Sequence, residues 1–148
     1  MYRNLNSFLK DVQVLMHART ALFKNTGIAL AAFVGGGFAT AYLVRKNMRD
    51  AGHPKEASEA LVIFGSIGAA FVVVASRTPP DLISSLLGIG IPQFVLLLAV
   101  LRLTRYGDFS EATSNGAELR SNWHAFAVGV AVNLLLKGLF YCTGMLWA

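Results

Sequence analysis

The residue with the most chemical potential is Lys137, which stands inside an otherwise uncharged stretch from His124 to Ala148. An ammonium at the centre of a lipid-embedded helix costs about 2.5–3.5 kcal/mol on insertion scales, so it ordinarily faces a bundle interior or a watery cavity. At helical spacing Gly129, Asn133, Lys137 and Tyr141 share one face, a polar stripe. All eight acidic residues lie in loops, in the N-terminal tail or at the ends of apolar stretches, so no carboxylate at membrane depth can pair with Lys137. A third apolar stretch offers Pro92, whose missing N–H would leave the Gly88 carbonyl without its helical donor, and beside it the amide of Gln93. Lys137 is therefore expected to meet Gln93, the Gly88 carbonyl or water at a Pro92 kink. The chemistry this allows is binding of an anion or polar solute. The structural alternative is a polar clasp, or a lysine that snorkels along its four-carbon stem.

Other chemistry has little to stand on. His17, His53 and His124 fall in separate segments, and no His/Cys/Asp/Glu spacing makes a metal site. Ser84 and Ser85 have no histidine or carboxylate at their depth, which argues against a hydrolytic triad. A proton or cation relay needs Asp, Glu or His inside the membrane, and the apolar stretches contain none. Cys142 is the lone cysteine, expected to act as a small packing residue. No cofactor and no catalytic residue are expected.

Gly35-Gly36-Gly37 lacks the Gly-Lys-Ser/Thr ending of a phosphate loop. Ala32, Gly36 and Thr40 recur at steps of four, Gly65 and Ala69 do the same in the next apolar stretch, and Gly129 lies in the last. Such small faces let helices approach closely. Helix packing is the expectation for these six residues.

The elements that would position these residues follow from charge. Only 14% of the 148 residues are charged, against about 25% in an ordinary soluble domain. Asn25 to Val44 and Leu82 to Leu101 are each 20 residues without a charge, and Ala60 to Ser76 is 17. About 20 apolar residues cross the hydrocarbon core as a helix. The expected fold is all-α: a four-transmembrane-helix bundle over residues 25–148, with spans near 26–44, 60–76, 82–101 and 124–147. Residues 1–24 place Leu5, Phe8, Leu9, Val12, Leu15, Met16 and Leu22 at helical spacing, and are expected to form an amphipathic interfacial helix. Ile28 to Phe38 followed by Ala39-Thr40-Ala41 imitates a signal peptide, but the 24 residues before it are long and carry Asp11, so the first span is expected to be retained.

With four crossings, Arg3, Lys10, Arg19, Lys24 and Arg77 share one side, and Arg45, Lys46, Arg49, Lys55, Arg102, Arg105 and Arg120 share the other. Seven against five places loops 45–58 and 102–122 in the cytoplasm. The net charge of +5 suits anionic head groups. Nucleic acid is not an expected partner, because the basic residues flank apolar spans and no aromatic-interleaved basic patch exists.

The run from Ile28 to Gly37, then Leu43-Val44-Arg45-Lys46-Asn47, Ala51-Gly52 and Lys55-Glu56-Ala57, with Asn115-Gly116 and Ser121-Asn122-Trp123 further on, resembles a pattern in small uncharacterised bacterial four-helix integral membrane proteins. The resemblance covers about residues 26–135 and departs from the pattern in the N-terminal amphipathic segment and in Ala51, where Leu is usual. It implies a bacterial inner membrane and four helices, and transfers no site. The leading expectation is a non-enzymatic multi-pass inner-membrane protein that binds another membrane protein, as an accessory subunit or toxin-immunity protein would. The second is an oligomeric channel or transporter subunit for an anion or polar solute, lined by Lys137, Asn133 and Gln93. A third, a lipid-modifying enzyme using Asp108, Glu111 and Glu118, has the least to support it.

Overall fold

The computed structural model describes residues 21–77, 89–104, 114 and 117–142, with 140 and 141 by backbone alone. Four helices and two short strands make up the described chain: β1 (Ala21–Phe23), α1 (Asn25–Asp50), α2 (Pro54–Ala75), α3 (Ile91–Leu103), β2 (Glu118–Arg120) and α4 (Asn122–Cys142). Mean hydropathy reaches 1.8 in α1 and 2.0 in α2, and by length and composition both qualify to cross a membrane. They are used differently. In the most apolar window of α1 61% of residues are buried, against 22% in α2, so α1 is the element around which the others pack.

The governing feature is a break in α1. Gly36 has φ 62° and ψ −152°, outside helical space and open essentially to glycine alone. Two contacts show how far the chain turns there. The Phe23 N–H donates to Asn47 Oδ1 at 2.8 Å, and Asn47 Nδ2 donates to the Phe23 carbonyl at 2.8 Å. At 1.5 Å per residue a straight helix would hold these residues about 36 Å apart. The two halves of α1, 25–35 and 37–50, are therefore folded back on one another as a helical hairpin with Gly36 at its tip. Alanines make this possible: Ala31, Ala32, Ala39 and Ala41 are all buried and permit close approach.

The remaining helices follow the hairpin. A tight turn, in which the His53 N–H donates to the Met48 carbonyl, sends α2 back along the second half of α1. α2 reaches Gly37 at Gly68 and runs on past the tip. α4 runs parallel to the first half of α1: Gly27 lies against Asn122 and Ala125, and Gly35 against Gly129. It too continues beyond the tip. α3 runs the opposite way, with Gln93 at Gly36 and Phe94 edge-on to Phe33 at 5.5 Å between ring centroids. Pro92 stands in its first turn, where a missing N–H is tolerated, directly after a π-type turn at 89–90.

β1 and β2 pair in parallel, Ala21 with Glu118 and Phe23 with Arg120, and each leads directly into a helix. Arg120 also lies over the Phe23 ring at 5.1 Å. One end of the bundle, the near end, thus gathers both strands, the start of α1, its end at Asp50, the start of α2, the end of α3 and the start of α4. The far end receives the last turns of α2 and α4.

Three expectations are corrected. The apolar stretch 26–44, expected as one straight helix, is broken and folded back at Gly36; a continuous charge-free run reads the same whether straight or folded at a glycine. Ala21–Phe23, assigned to the surface helix 1–24, is strand, because the Phe23 backbone is held by Asn47 and by β2; residues 1–20 lie outside the described residues. Lys24, expected on the opposite side from loops 45–58 and 102–122, follows β1, which pairs with Glu118–Arg120, so it lies at the same end as the described residues of those loops.

Candidate functional site

The three consecutive glycines at the α1 break each meet a different helix. A β-carbon on Gly35 would lie 2.6 Å from the Gly129 carbonyl oxygen of α4. One on Gly36 would lie 2.7 Å from the Gln93 amide nitrogen of α3, and one on Gly37 would lie 2.5 Å from the Gly68 backbone nitrogen of α2. The hairpin tip is thus the point where all four helices converge.

Breaking a helix leaves carbonyls without helical donors, and in an apolar interior each needs another. The Asn133 side-chain amide donates to the Val34 carbonyl at 2.7 Å. Thr40 Oγ1 donates to the Gly36 carbonyl at 3.0 Å. Among the described residues no buried side-chain nitrogen or oxygen lacks a hydrogen-bond partner. Asn133 and Gln93, chosen from sequence as polar-pathway residues, both stand at the tip, Asn133 on the Val34 carbonyl and Gln93 against Gly36. Replacing Asn133 with Leu is expected to lower thermal stability in detergent by the equivalent of about 0.6–1.7 kcal/mol, the range measured for single interhelical hydrogen bonds in a membrane protein. An unchanged melting temperature would remove this clasp from the account.

Lys137 stands one turn beyond Asn133 on the same face of α4, which carries it past the tip. It is exposed, as are Leu134, Leu135 and Leu139 around it. No contact joins it to Gln93, which lies one level nearer the hairpin. The Gly88 carbonyl, the Tyr141 side chain, Asp108 and Glu111 lie outside the described residues. Cys142 is exposed rather than packed.

The small-residue assignments divide. Ala32 and Thr40 are buried in the hairpin, Gly36 is its turn, and Gly129 lies against Ala31 and Gly35. Gly65 has nothing within 4 Å of a built β-carbon, and Ala69 is exposed. The buried face of α2 is Ala57, Ala60, Phe64 and Gly68, so the expected pair is set one residue off the contact. Asn47 went unmarked from sequence, although an asparagine that is fully buried between Val44 and Met48 is the residue that closes the hairpin. The stretch 45–58 read as a loop, which hid that Asn47 continues the buried face of Leu43, Val44 and Met48.

Groups of three or more His, Cys, Asp or Glu able to hold a metal are absent among the described residues. No protein-family model, curated protein or solved structure matches the chain.

Proposed function

We propose that the protein is a non-enzymatic, multi-pass protein of a bacterial inner membrane that acts by binding another membrane protein, as an accessory subunit or toxin-immunity protein does. α2, the third apolar stretch and α4 make three crossings, and the α1 hairpin enters from one side to about half depth. Exposed Leu61, Val62, Val73, Val74, Val95, Leu96, Leu134 and Leu135 suit a lipid-facing surface.

This arrangement also sharpens orientation. Seven of the nine described basic residues lie at the near end: Lys24, Arg45, Lys46, Arg49, Lys55, Arg102 and Arg120. Arg77 follows α2 at the far end, and Lys137 is within α4. The positive-inside rule then places the near end in the cytoplasm and the C-terminus outside. Single cysteines at Gly52 and Ser121 are expected to react with an impermeant maleimide only after the inner membrane is permeabilised, and one at Arg77 in intact spheroplasts. Labelling of all three from one side would sink the three-crossing topology.

The observation carrying the binding reading is the position of Lys137. Backbone-close contacts at Gly35 and Gly37 close the hairpin tip, and the buried side-chain polar groups of the described residues are satisfied, so Lys137 is not drawn inward. Its ammonium stands exposed in an apolar surface, beside Gly138, which has nothing within 4 Å of a built β-carbon. A partner helix bearing a carboxylate would lie closely there and offset the charge. Gentle extraction and affinity capture should yield a stoichiometric membrane-protein partner, lost in Lys137→Met and retained in Lys137→Arg. Equal capture by wild type and Lys137→Met would overturn the reading.

The second reading, an oligomeric channel or transporter subunit for an anion or polar solute lined by Lys137, Asn133 and Gln93, is favoured by Gln93 and Asn133 standing at a broken helix with Lys137 one turn beyond, a broken helix being the feature around which transporters build substrate sites. Anion flux into liposomes that disappears in Lys137→Met would support it over the first.

A further inference from the structure

Between the first half of α1 and the end of α3 lies an open groove of about 940 Å³, lined by Asn25, Thr26, Ala29, Leu98, Leu101 and Arg102, with Ala99 on its wall. We propose that this groove binds an anionic phospholipid, its phosphate at Arg102 and the Asn25–Thr26 edge and its first acyl segment along Ala29 and Leu98. The site rests on the membrane reading given above and is separate from the hairpin tip.

The shape follows from the packing. α1 and α3 touch at Gly36 with Gln93 and at Phe33 with Phe94, then part toward the near end, giving a cleft that opens where the strands sit. Its chemistry is graded along that direction. Ala29 and Leu98 lie deeper, and Asn25, Thr26 and Arg102 lie at the mouth. Its volume falls within the ~300–1,000 Å³ of ordinary ligand sites.

Charge selects the occupant. Arg102 is the one charged residue among the groove's described lining residues, and it is exposed at the end of α3. Around the mouth Lys24 precedes Asn25 and Arg120 lies over Phe23, against Glu118 as the acid among the adjacent described residues. The first turn of α1 carries no acidic residue. A guanidinium recognises a phosphate by paired, charge-assisted hydrogen bonds, and the apolar inner wall favours an acyl chain over a free anion.

The test is native mass spectrometry of the full chain in mild detergent, with phosphatidylglycerol and phosphatidylcholine titrated separately. Wild type is expected to retain phosphatidylglycerol at least about tenfold more tightly, a difference of about 1.4 kcal/mol. Arg102→Gln should abolish that preference, and Ala99→Trp, which fills the exposed wall, should reduce retention of both lipids. Arg77→Gln, at the far end, should change neither. Equal retention of the two lipids by wild type would overturn the proposal, as would unchanged selectivity in Arg102→Gln. Displacement of phosphatidylglycerol by millimolar inorganic phosphate would assign the site to a free anion and reject the lipid. Impermeant labelling of Gly52, Ser121 and Arg77 reports independently on the membrane reading itself.

Discussion

Gly37→Ala is expected to abolish the folded monomer in detergent, while Gly65→Ala, in the neighbouring helix, leaves it intact or slightly stabilised. The two substitutions add the same methyl group to glycines in helices, so propensity alone favours alanine at both by about 1 kcal/mol. Position decides the sign. At Gly37 the new carbon would lie 2.5 Å from the Gly68 nitrogen and 2.6 Å from the Phe64 carbonyl oxygen. Carbon contacts are ordinarily near 3.5–4.0 Å, and both opposing atoms are backbone, so α2 as a whole would have to move by about 1 Å. Overpacking of a close-packed interior costs about 1–3 kcal/mol, occasionally more. Here the shift also pulls at Gly35 and Gly36, which fix α4 and α3. Gly65 faces open space. Fluorescence-detected size exclusion of the two variants, run side by side with wild type, gives the answer; equal monomer peaks for both would show that the contacts at the hairpin tip are not close in solution.

Asn47→Ala should be the most damaging single substitution outside the glycines. Asn47 is fully buried, Phe23 is 3% exposed, and the two exchange a pair of hydrogen bonds at 2.8 Å. Removing the amide leaves the Phe23 N–H and carbonyl without their side-chain partner, at about 1–3 kcal/mol for each unsatisfied group. Asn47→Asp is the more discriminating variant: it keeps an acceptor for the Phe23 N–H but loses the donor to the carbonyl, and it brings a charge into a buried position. Both should lower the melting temperature strongly, with Asp no better than Ala. Protease accessibility in the 21–24 segment should rise in parallel, because this pair and the short β1–β2 ladder hold that backbone. A melting temperature within a degree of wild type for Asn47→Ala would exclude Asn47 as the hairpin's closing contact.

Much of the helical content was legible in the amino-acid sequence, because long charge-free runs bounded by basic loops have few alternatives. The closeness of packing was legible too, in Gly35-Gly36-Gly37 and Gly129. Gln93 and Asn133 stood out in the sequence as polar residues in apolar stretches, but that each would be placed at the α1 break was not legible. Nor was the fold-back at Gly36. Hydropathy sums over a window and is blind to direction, so one long helix and two short antiparallel ones score alike. The clue was present in three successive glycines, the weakest ordinary helix formers, at the centre of the run. The β1–β2 pair was equally hidden, for strands of three residues leave no periodic trace and Ala21 finds its partner at Glu118. Lys137 is the exception to the charge pattern; of its expected partners Gln93 stands at the hairpin tip, one turn short of it, and Gly88 lies outside the described residues.

The hairpin also has a consequence for how the chain is made. Asn47 can close it locally on Phe23, but the α4 residues Gly129 and Asn133 that pack on its tip, and the β2 strand that pairs with β1, are synthesised well after Gly36. At about 5–20 residues per second, the interval between Gly36 and Asn133 is on the order of 5–20 s. During that interval residues 25–50 present the insertion machinery with a stretch long and apolar enough to be threaded straight through. The tip is thus completed only when a late segment reaches an early one, and truncation before Asn133 should leave the Val34 carbonyl without its side-chain donor and the fold-back less stable.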